Sequence, residues 1–242
     1  IAIDKTGKKA YVGLQEANGI AVFDLGTQSF EHIYNLGLKD FSLPGNEIDP
    51  SDRDGRSELR SVPVFGLYQP DTLAIYEHKG RSYLVMANEG DARDNGEGES
   101  EDERRGGVGS SSIELTSDTD LARVALSNVD SVRGGPLVKF GGHSFSIRTP
   151  DGGIVYDSGS LLDREAIRLG LYDDGRSDNK GVEPEGVGRE GNLRPLPPGF
   201  QAATHLAGQV DSRPCAQGEL AGVANERLHP ELDRCVPEVD VA

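Results

Sequence analysis

The chain has 242 residues, enough to bury a core in one large or two small domains, but its hydrophobic fraction of 35%, its 32 Gly and its lack of Trp disfavour extended helical bundles. With 25 Lys and Arg against 41 Asp and Glu, the net charge of -16 opposes non-specific binding to nucleic acid or to anionic lipid. The longest apolar runs, such as Ser82 to Ala87, fall far short of the ~20 residues a membrane helix requires, so no transmembrane segment is expected.

The chain opens at Ile1 inside a strand-like pattern, which predicts that further sequence precedes it. Ile1 to Ile3, Ala10 to Leu14 and Ile20 to Leu25, separated by DKTGKK and EANG, read as strands of a small antiparallel sheet. More strands are predicted at Leu73 to Glu77, Ser82 to Ala87, Ser144 to Arg148 and Gly153 to Asp157, with KGR and PDGG as hairpin turns. Asp118 to Asn128 and Ser160 to Leu171 carry apolar residues at helical spacing and are predicted as short surface helices. The charge run Glu97 to Arg105, followed by GGVGSSS, reads as a long exposed loop. From Gly188 to Ala242 the composition changes: Ile, Lys and Tyr are absent, and strand periodicity stops. Disorder and a shifted reading frame both account for that stretch. It also holds both cysteines, Cys215 and Cys235, for which a mutual disulfide and two free thiols are both open.

Two motifs carry the clearest chemistry. ANEGDARD (Ala87 to Asp94) and RSDNKGVEPEGV (Arg176 to Val187) each present carboxylates two residues apart, separated by Gly, Ala or Pro, as loops do when they offer oxygen ligands to a hard cation. The expected metal ligands are Glu89, Asp91, Asp178, Glu183 and Glu185, with calcium as the cation. The competing reading is a pair of solvated acidic turns neutralised by Arg93 and Lys180. A third acidic stretch, NEIDPSDRDG, resembles half a calcium loop, but the twelfth position counted from Asp52 is Pro63 rather than a bidentate Glu, which excludes an EF-hand. A simpler loop site using Asp49, Asp52 and Asp54 stays open beside a plain Asx-turn.

Catalytic groups are sparse. A phosphoesterase needs positive charge on the phosphoryl oxygens, and Arg93, Arg176 and Lys180, beside the acidic motifs, are the candidates. No GxSxG elbow, HExxH or CxxC occurs, Ser110 to Ser112 lack the Lys of a P-loop, and His143 is a lone histidine at a predicted strand end.

The strings GLKDFSLPGNEIDPSDRDG, YQPDTLAIYEHKGRSYLVMANEGDARD, GGHSFSIRTPDGGIVYDSG and RSDNKGVEPEGV, in that order, resemble the choice-of-anchor I family of secreted and surface proteins over roughly residues 1–187. The resemblance implies an all-β fold, a partial, incomplete β-propeller of antiparallel sheets with short helical insertions over 1–187, beyond which the compositionally foreign segment 188–242 follows. At ~40 to 45 residues per blade, that length supplies roughly four blades. It further implies an extracellular, periplasmic or cell-surface location, and kinship to mesenchyme-specific cell-surface glycoproteins, phytase-like esterases and proteins labelled alkaline phosphatase. Where members carry an Asp and Gly rich loop before the SFSI strand, this chain retains only Asp118 and Asp120. Two functions follow as expectations. One is an exported module that binds structural calcium and mediates interaction with an unknown surface ligand. The other is a calcium-dependent phosphomonoesterase acting on a phosphoester substrate.

Overall fold

The computed structural model describes residues 1–93, 118–132, 134–187 and the backbone of 102–104. The Gly188 to Ala242 segment, both cysteines and most of the charged loop predicted from Glu97 lie outside the described residues.

Alternating apolar residues and tight turns build the first sheet as a meander: β1 (Ala2–Ile3), β2 (Lys9–Leu14), β3 (Gly19–Asp24) and β4 (Ser29–Asn35), all antiparallel and in chain order. The Asp4 carboxylate accepts from the amides of Lys8 and Lys9 at 2.8 and 3.1 Å, which closes the first turn as an Asx motif. β4 was not anticipated from the sequence, because SFEHIYN leaves Phe30 and Ile33 exposed and does not alternate cleanly.

The second four-stranded sheet is β13 (Ile154–Asp157), β12 (Ser144–Arg148), β8 (Arg81–Asn88) and β7 (Thr72–His78), again antiparallel. Its β7–β8 hairpin turns on Lys79 and Gly80, both with positive φ (49° and 78°), a geometry whose twist matches the flanking strands. Its β12–β13 turn closes with Gly152 N donating to Thr149 O at 2.9 Å. The two hairpins fall where KGR and PDGG placed them.

Between these strands in sequence lies a third sheet, of order β5 (Leu38–Asp40), β6 (Phe65–Leu67), β11 (Val138–Lys139), β10 (Ala125–Ser127) and β9 (Asp102–Arg104). β6 and β11 run parallel, Phe65 opposite Val138, while the other pairs are antiparallel. Two predictions change here. The helix expected over Asp118 to Asn128 is a single 3-10 turn, Leu121–Arg123, followed by β10, because β10 gains ladder partners on both edges that outweigh a weak helical spacing. Within the stretch expected to be loop, Asp102–Arg104 pairs as β9 with β10.

The helix predicted over 160–171 is α1 (Leu161–Leu169). It ends at Gly170, φ 69°, where the amides of Gly170 and Leu171 return to the carbonyls of Ile167 and Ala166. Leu162 and Ala166 pack with Val182, Phe145 and Tyr172. The main core, Tyr11, Ile20, Val22, Leu36, Tyr68, Leu73, Leu84 and Met86, draws on the two four-stranded sheets and the segments beside them. A second cluster, including Phe41, Ile48, Val62, Val64 and Leu126, lies under the 41–64 loop. The described residues are therefore mostly strands in largely antiparallel sheets with one α-helix. Among the described residues the sheets stay open, and no closed barrel or propeller ring forms.

Two glycines fix how the sheets meet. A Cβ on Gly90 would lie 2.1 Å from the backbone N and Cα of Gly141, and one on Gly141 would lie 2.1 Å from the Glu89 carbonyl oxygen. Both residues have positive φ (93° and 79°). By contrast Gly80, also at positive φ, faces open space. Gly80→Ala should therefore cost about 1–2 kcal/mol, from the left-handed backbone alone, and Gly90→Ala should cost a further ~1–3 kcal/mol or more, for overpacking against main chain that has no rotamer to yield. Urea denaturation midpoints of the two variants measure the difference.

Candidate functional site

The ANEGDARD motif starts where β8 ends. Asn88 is buried and donates from Nδ2 to the hydroxyls of Ser144 and Ser146, both at 3.1 Å, which ties the strand end to β12. The chain then crosses Gly141, and the crossing is held by Gln69, a residue with no exposed surface and a positive φ of 43°. Its carbonyl accepts from Gly90 N at 3.2 Å, its Oε1 accepts from Gly141 N at 3.2 Å and its Nε2 donates to Asp91 O at 2.8 Å. Its own amide donates to Oδ1 of Asn18 at 3.0 Å, and Asn18 Nδ2 donates to Gly37 O at 2.8 Å. Gln69 and Asn18 gave no signal in the sequence, because an isolated amide residue before a Pro or a Gly reads as an ordinary turn.

The second motif folds over the first. Lys180 N and Gly181 N both donate to the carbonyl of Arg176 at 2.9 Å, closing a compact loop after the 3-10 turn Asp174–Arg176. That loop puts the Lys180 ammonium among the acids of both motifs. Nζ donates to Gly90 O at 3.0 Å and to Asp91 Oδ1 at 2.9 Å, and lies 3.7 Å from Glu89 Oε1 and 3.8 Å from Glu183 Oε1. Arg176 donates to Glu183 Oε1 at 2.7 Å, and Gln15 Nε2 donates to Glu89 Oε2 at 2.9 Å. Burial raises the pKa of Glu89 above the usual carboxylate value, with the Lys180 charge opposing the rise.

Of the five expected metal ligands, the structure brings together Glu89, Asp91 and Glu183, and it gathers them around an ammonium. Asp178 is buried elsewhere. Its carbonyl accepts from Ala125 N at 3.0 Å and its carboxylate lies 3.9 Å from Arg123 Nη2. Glu185 is exposed, and its carbonyl accepts from Thr72 Oγ1 at 2.6 Å. All three candidate phosphate contacts are engaged with carboxylates: Arg176 with Glu183, Lys180 with Asp91, and Arg93 with Asp130 at 2.7 Å.

Behind this clasp lies a buried polar column that the sequence did not announce. Lys139 is fully buried; its Nζ touches His143 Nε2 and donates to the carbonyls of Phe140 at 3.2 Å and Asn179 at 3.4 Å. His143 Nδ1 faces Asp163 Oδ1 of α1 at 3.8 Å, beyond hydrogen-bond range. Lys39, also buried, donates to the carbonyls of Gly142 and Gly159 and pairs with Asp157 at 3.1 Å. Burial pushes Lys139 down to about 7, against the attraction of Asp163 and Asp178, and burial with the nearby Lys139 pushes His143 down to about 4. A neutral imidazole accepting at Nε2 carries its proton on Nδ1, a tautomer assigned here from the hydrogen-bond network. His143 is thus buried, with Nε2 facing Lys139 and Nδ1 facing Asp163.

The NEIDPSDRDG loop is closed at its base by a bridge between Ile48 and Arg60. Here the expected trio is partly rearranged. Asp52 leaves it to form a two-pronged pair with Arg123, at 2.7 and 3.0 Å, and is held well below its ordinary pKa by that guanidinium. Asp49 and Asp54 are instead joined by Asp174, one carboxylate oxygen of each lying within 4.8 Å of the others. Burial pushes Asp49 up to about 7, with Asp174 and Asp54 adding to the rise, and burial likewise raises Asp174. The DDG of Asp173, Asp174 and Gly175 was the sequence signal for the third member. Its distance along the chain hid the convergence.

A predominantly antiparallel β-domain with interlocked acidic loops is the class that fold and site define. A family model, the choice-of-anchor I domain, matches residues 1–190, and the chain belongs to that family. No curated protein and no solved structure matches it significantly. The family points to a surface-associated domain, and no helix among the described residues is long and apolar enough to cross a membrane.

Two outcomes test this electrostatic picture. Lys180→Gln should lower stability at pH 7 by ~1–3 kcal/mol, because it leaves Glu89 partly buried without its counter-charge. A carboxyl whose folded pKa is raised stabilises most when protonated, and that contribution is lost as pH rises. The deficit should therefore shrink as the pH falls toward about 4.5, a trend that urea melts across pH 4–7 record. For Lys139 the sign is opposite. The unfolded chain binds the extra proton between about 7 and 10.5, so stability should rise with pH above 7. Lys139→Met should flatten that rise between pH 7 and 9.

Proposed function

We propose that this domain is an exported, surface-presented module, a partial β-propeller of the choice-of-anchor I type, that works by binding a surface ligand rather than by catalysis. The observation that carries this reading is the internal neutralisation of the two acidic motifs. Lys180 reaches Asp91 at 2.9 Å and Arg176 reaches Glu183 at 2.7 Å, so the groups best placed to hold a phosphoryl oxygen are already committed. The motifs then act as a clasp that fixes one loop on another, and recognition falls to the surface around it. The propeller reading draws support from the first sheet, a plain four-stranded meander like a blade, although the other two sheets interleave along the chain.

The calcium-dependent phosphomonoesterase is the second reading. What favours it is Glu89, partly buried and raised in pKa beside a lysine, the kind of perturbed pair that active sites contain. That reading requires calcium to displace Lys180 from Glu89, Asp91 and Glu183, with Asp178 or Glu185 moving in to complete the shell.

Hydrolysis of p-nitrophenyl phosphate with millimolar calcium separates the two. The expected result is no turnover above buffer, together with labelling of the parent protein on intact cells by a membrane-impermeant amine reagent. Calcium-dependent turnover that is lost in Glu183→Gln and Glu185→Gln would overturn the binding-module reading in favour of the esterase.

A further inference from the structure

We propose that Asp49, Asp54 and Asp174 form a calcium site that clips the 49–59 loop to the 3-10 turn at Asp174–Arg176, separate from the Lys180 clasp. Asp49 and Asp54 share one loop and Asp174 comes from a segment remote in sequence, and one oxygen from each lies within 4.8 Å of the others. Closeness of acids alone is common. The second observation is that Asp49 is only 1% exposed and its Oδ2 has no hydrogen-bond partner among the described residues. An unpaired carboxylate oxygen removed from water is strongly unfavourable unless something replaces its hydration. Oδ1 of Asp174 is also buried and without a partner.

The surroundings supply little other positive charge to those oxygens. Asp49 Oδ1 accepts a long bond from Ser51 N at 3.4 Å, and the backbone of Glu58 adds a further weak hydrogen-bonding contribution to the carboxylate. Asp54 accepts from Arg56 N at 2.9 Å and faces Arg56 Nη2 at 3.6 Å, but that guanidinium is largely exposed, and exposed pairs contribute little. Arg123 is turned to Asp52 and Asp178. Asp173 is used locally, accepting from Gly175 N at 3.1 Å and so holding the turn that presents Asp174. Tyr172 stands close enough for its phenol to feel both Asp49 and Asp174.

An all-oxygen anionic donor set selects a hard cation. Ligands at 2.3–2.6 Å around calcium can stand up to roughly 5 Å apart, whereas the shell of magnesium, at 2.0–2.1 Å, spans only about 4.2 Å and demands near-octahedral geometry. Three oxygens gathered within 4.8 Å of one another fit inside a calcium shell, whose flexible geometry asks less rearrangement of the loop than an octahedral one. Main-chain carbonyls of the loop and water would complete the shell, as in other loop sites.

The test uses the full chain, stripped with EDTA and read by thermal melting and by calorimetric titration with calcium chloride and, separately, magnesium chloride. Calcium at a hundredfold excess over Kd should raise Tm by roughly 5–10 °C, and magnesium should raise it less. Asp174→Asn, a half-exposed position, should weaken calcium binding at least tenfold and remove the shift. Asp54→Asn should do the same, so that one variant failing to fold leaves the other to decide. Glu183→Gln, in the other acidic cluster, should keep the shift. No calcium-dependent shift in the wild type, a shift retained in both Asp variants, or a shift lost only in Glu183→Gln would overturn the assignment. Surface labelling of intact cells is independent of this result, so a missing cation site would leave the surface-module reading standing.

Discussion

The passage of Gly90 over Gly141 is the constraint on which the site depends. At that point two backbones approach so closely that neither can carry a side chain, and the amide and carbonyl groups brought out of water must be paired. Gln69 does this from a single buried position, bonding to Gly90, Gly141 and Asp91, while Asn18 holds Gln69 from the first sheet. The acidic loop leaves the crossing in one defined direction. Lys180 can therefore find Gly90 O and Asp91 together, which a loop free to swing would not allow. The same economy governs the buried column, where Lys139 and Lys39 satisfy the carbonyls of Phe140, Asn179, Gly142 and Gly159.

The 174–183 segment contributes to two acidic clusters with opposite electrostatic solutions, Lys180 with Glu183 to one and Asp174 to the other. In one, Glu89, Asp91 and Glu183 gather around a lysine, so that the protein carries its own cation. In the other, Asp49, Asp54 and Asp174 stand together with two oxygens unpartnered, and the pKa of Asp49 rises to about 7. A covalently tethered ammonium holds its carboxylates at any metal concentration. Under the calcium proposal, a trio without one would make loop geometry depend on a dissolved ion, as extracellular modules in millimolar calcium can exploit.

Much of this was legible in the residues. Strands with clean alternation and sharp turns, β2, β3, β7, β8, β12 and β13, follow from their patterns, as does α1 from its apolar spacing and terminal Gly170. The five-stranded sheet was not legible, because its strands are two or three residues long and pair across long stretches of sequence, leaving no periodicity to read. The same limit applied to the site. ANEGDARD and RSDNKGVEPEGV announced chemistry, and the structure brings the two together, but residue types alone could not tell whether the convergent acids would receive a dissolved metal or Lys180. Asp52 and Asp174 exchanged places for a related reason: Arg123, a partner remote in sequence, captured the first.

The interleaved order of the sheets bears on the sequence of events during synthesis. The first four strands can zip up neighbour by neighbour as soon as they emerge. β6 must wait with an unfilled edge until β11 is made, because Phe65 pairs with Val138 and the whole β7–β8 hairpin intervenes. During that interval the edge of β6 and the apolar residues of the 41–64 loop face water or a helper protein, so a translational pause before Val138 would be the moment at which the nascent polypeptide is most prone to clump.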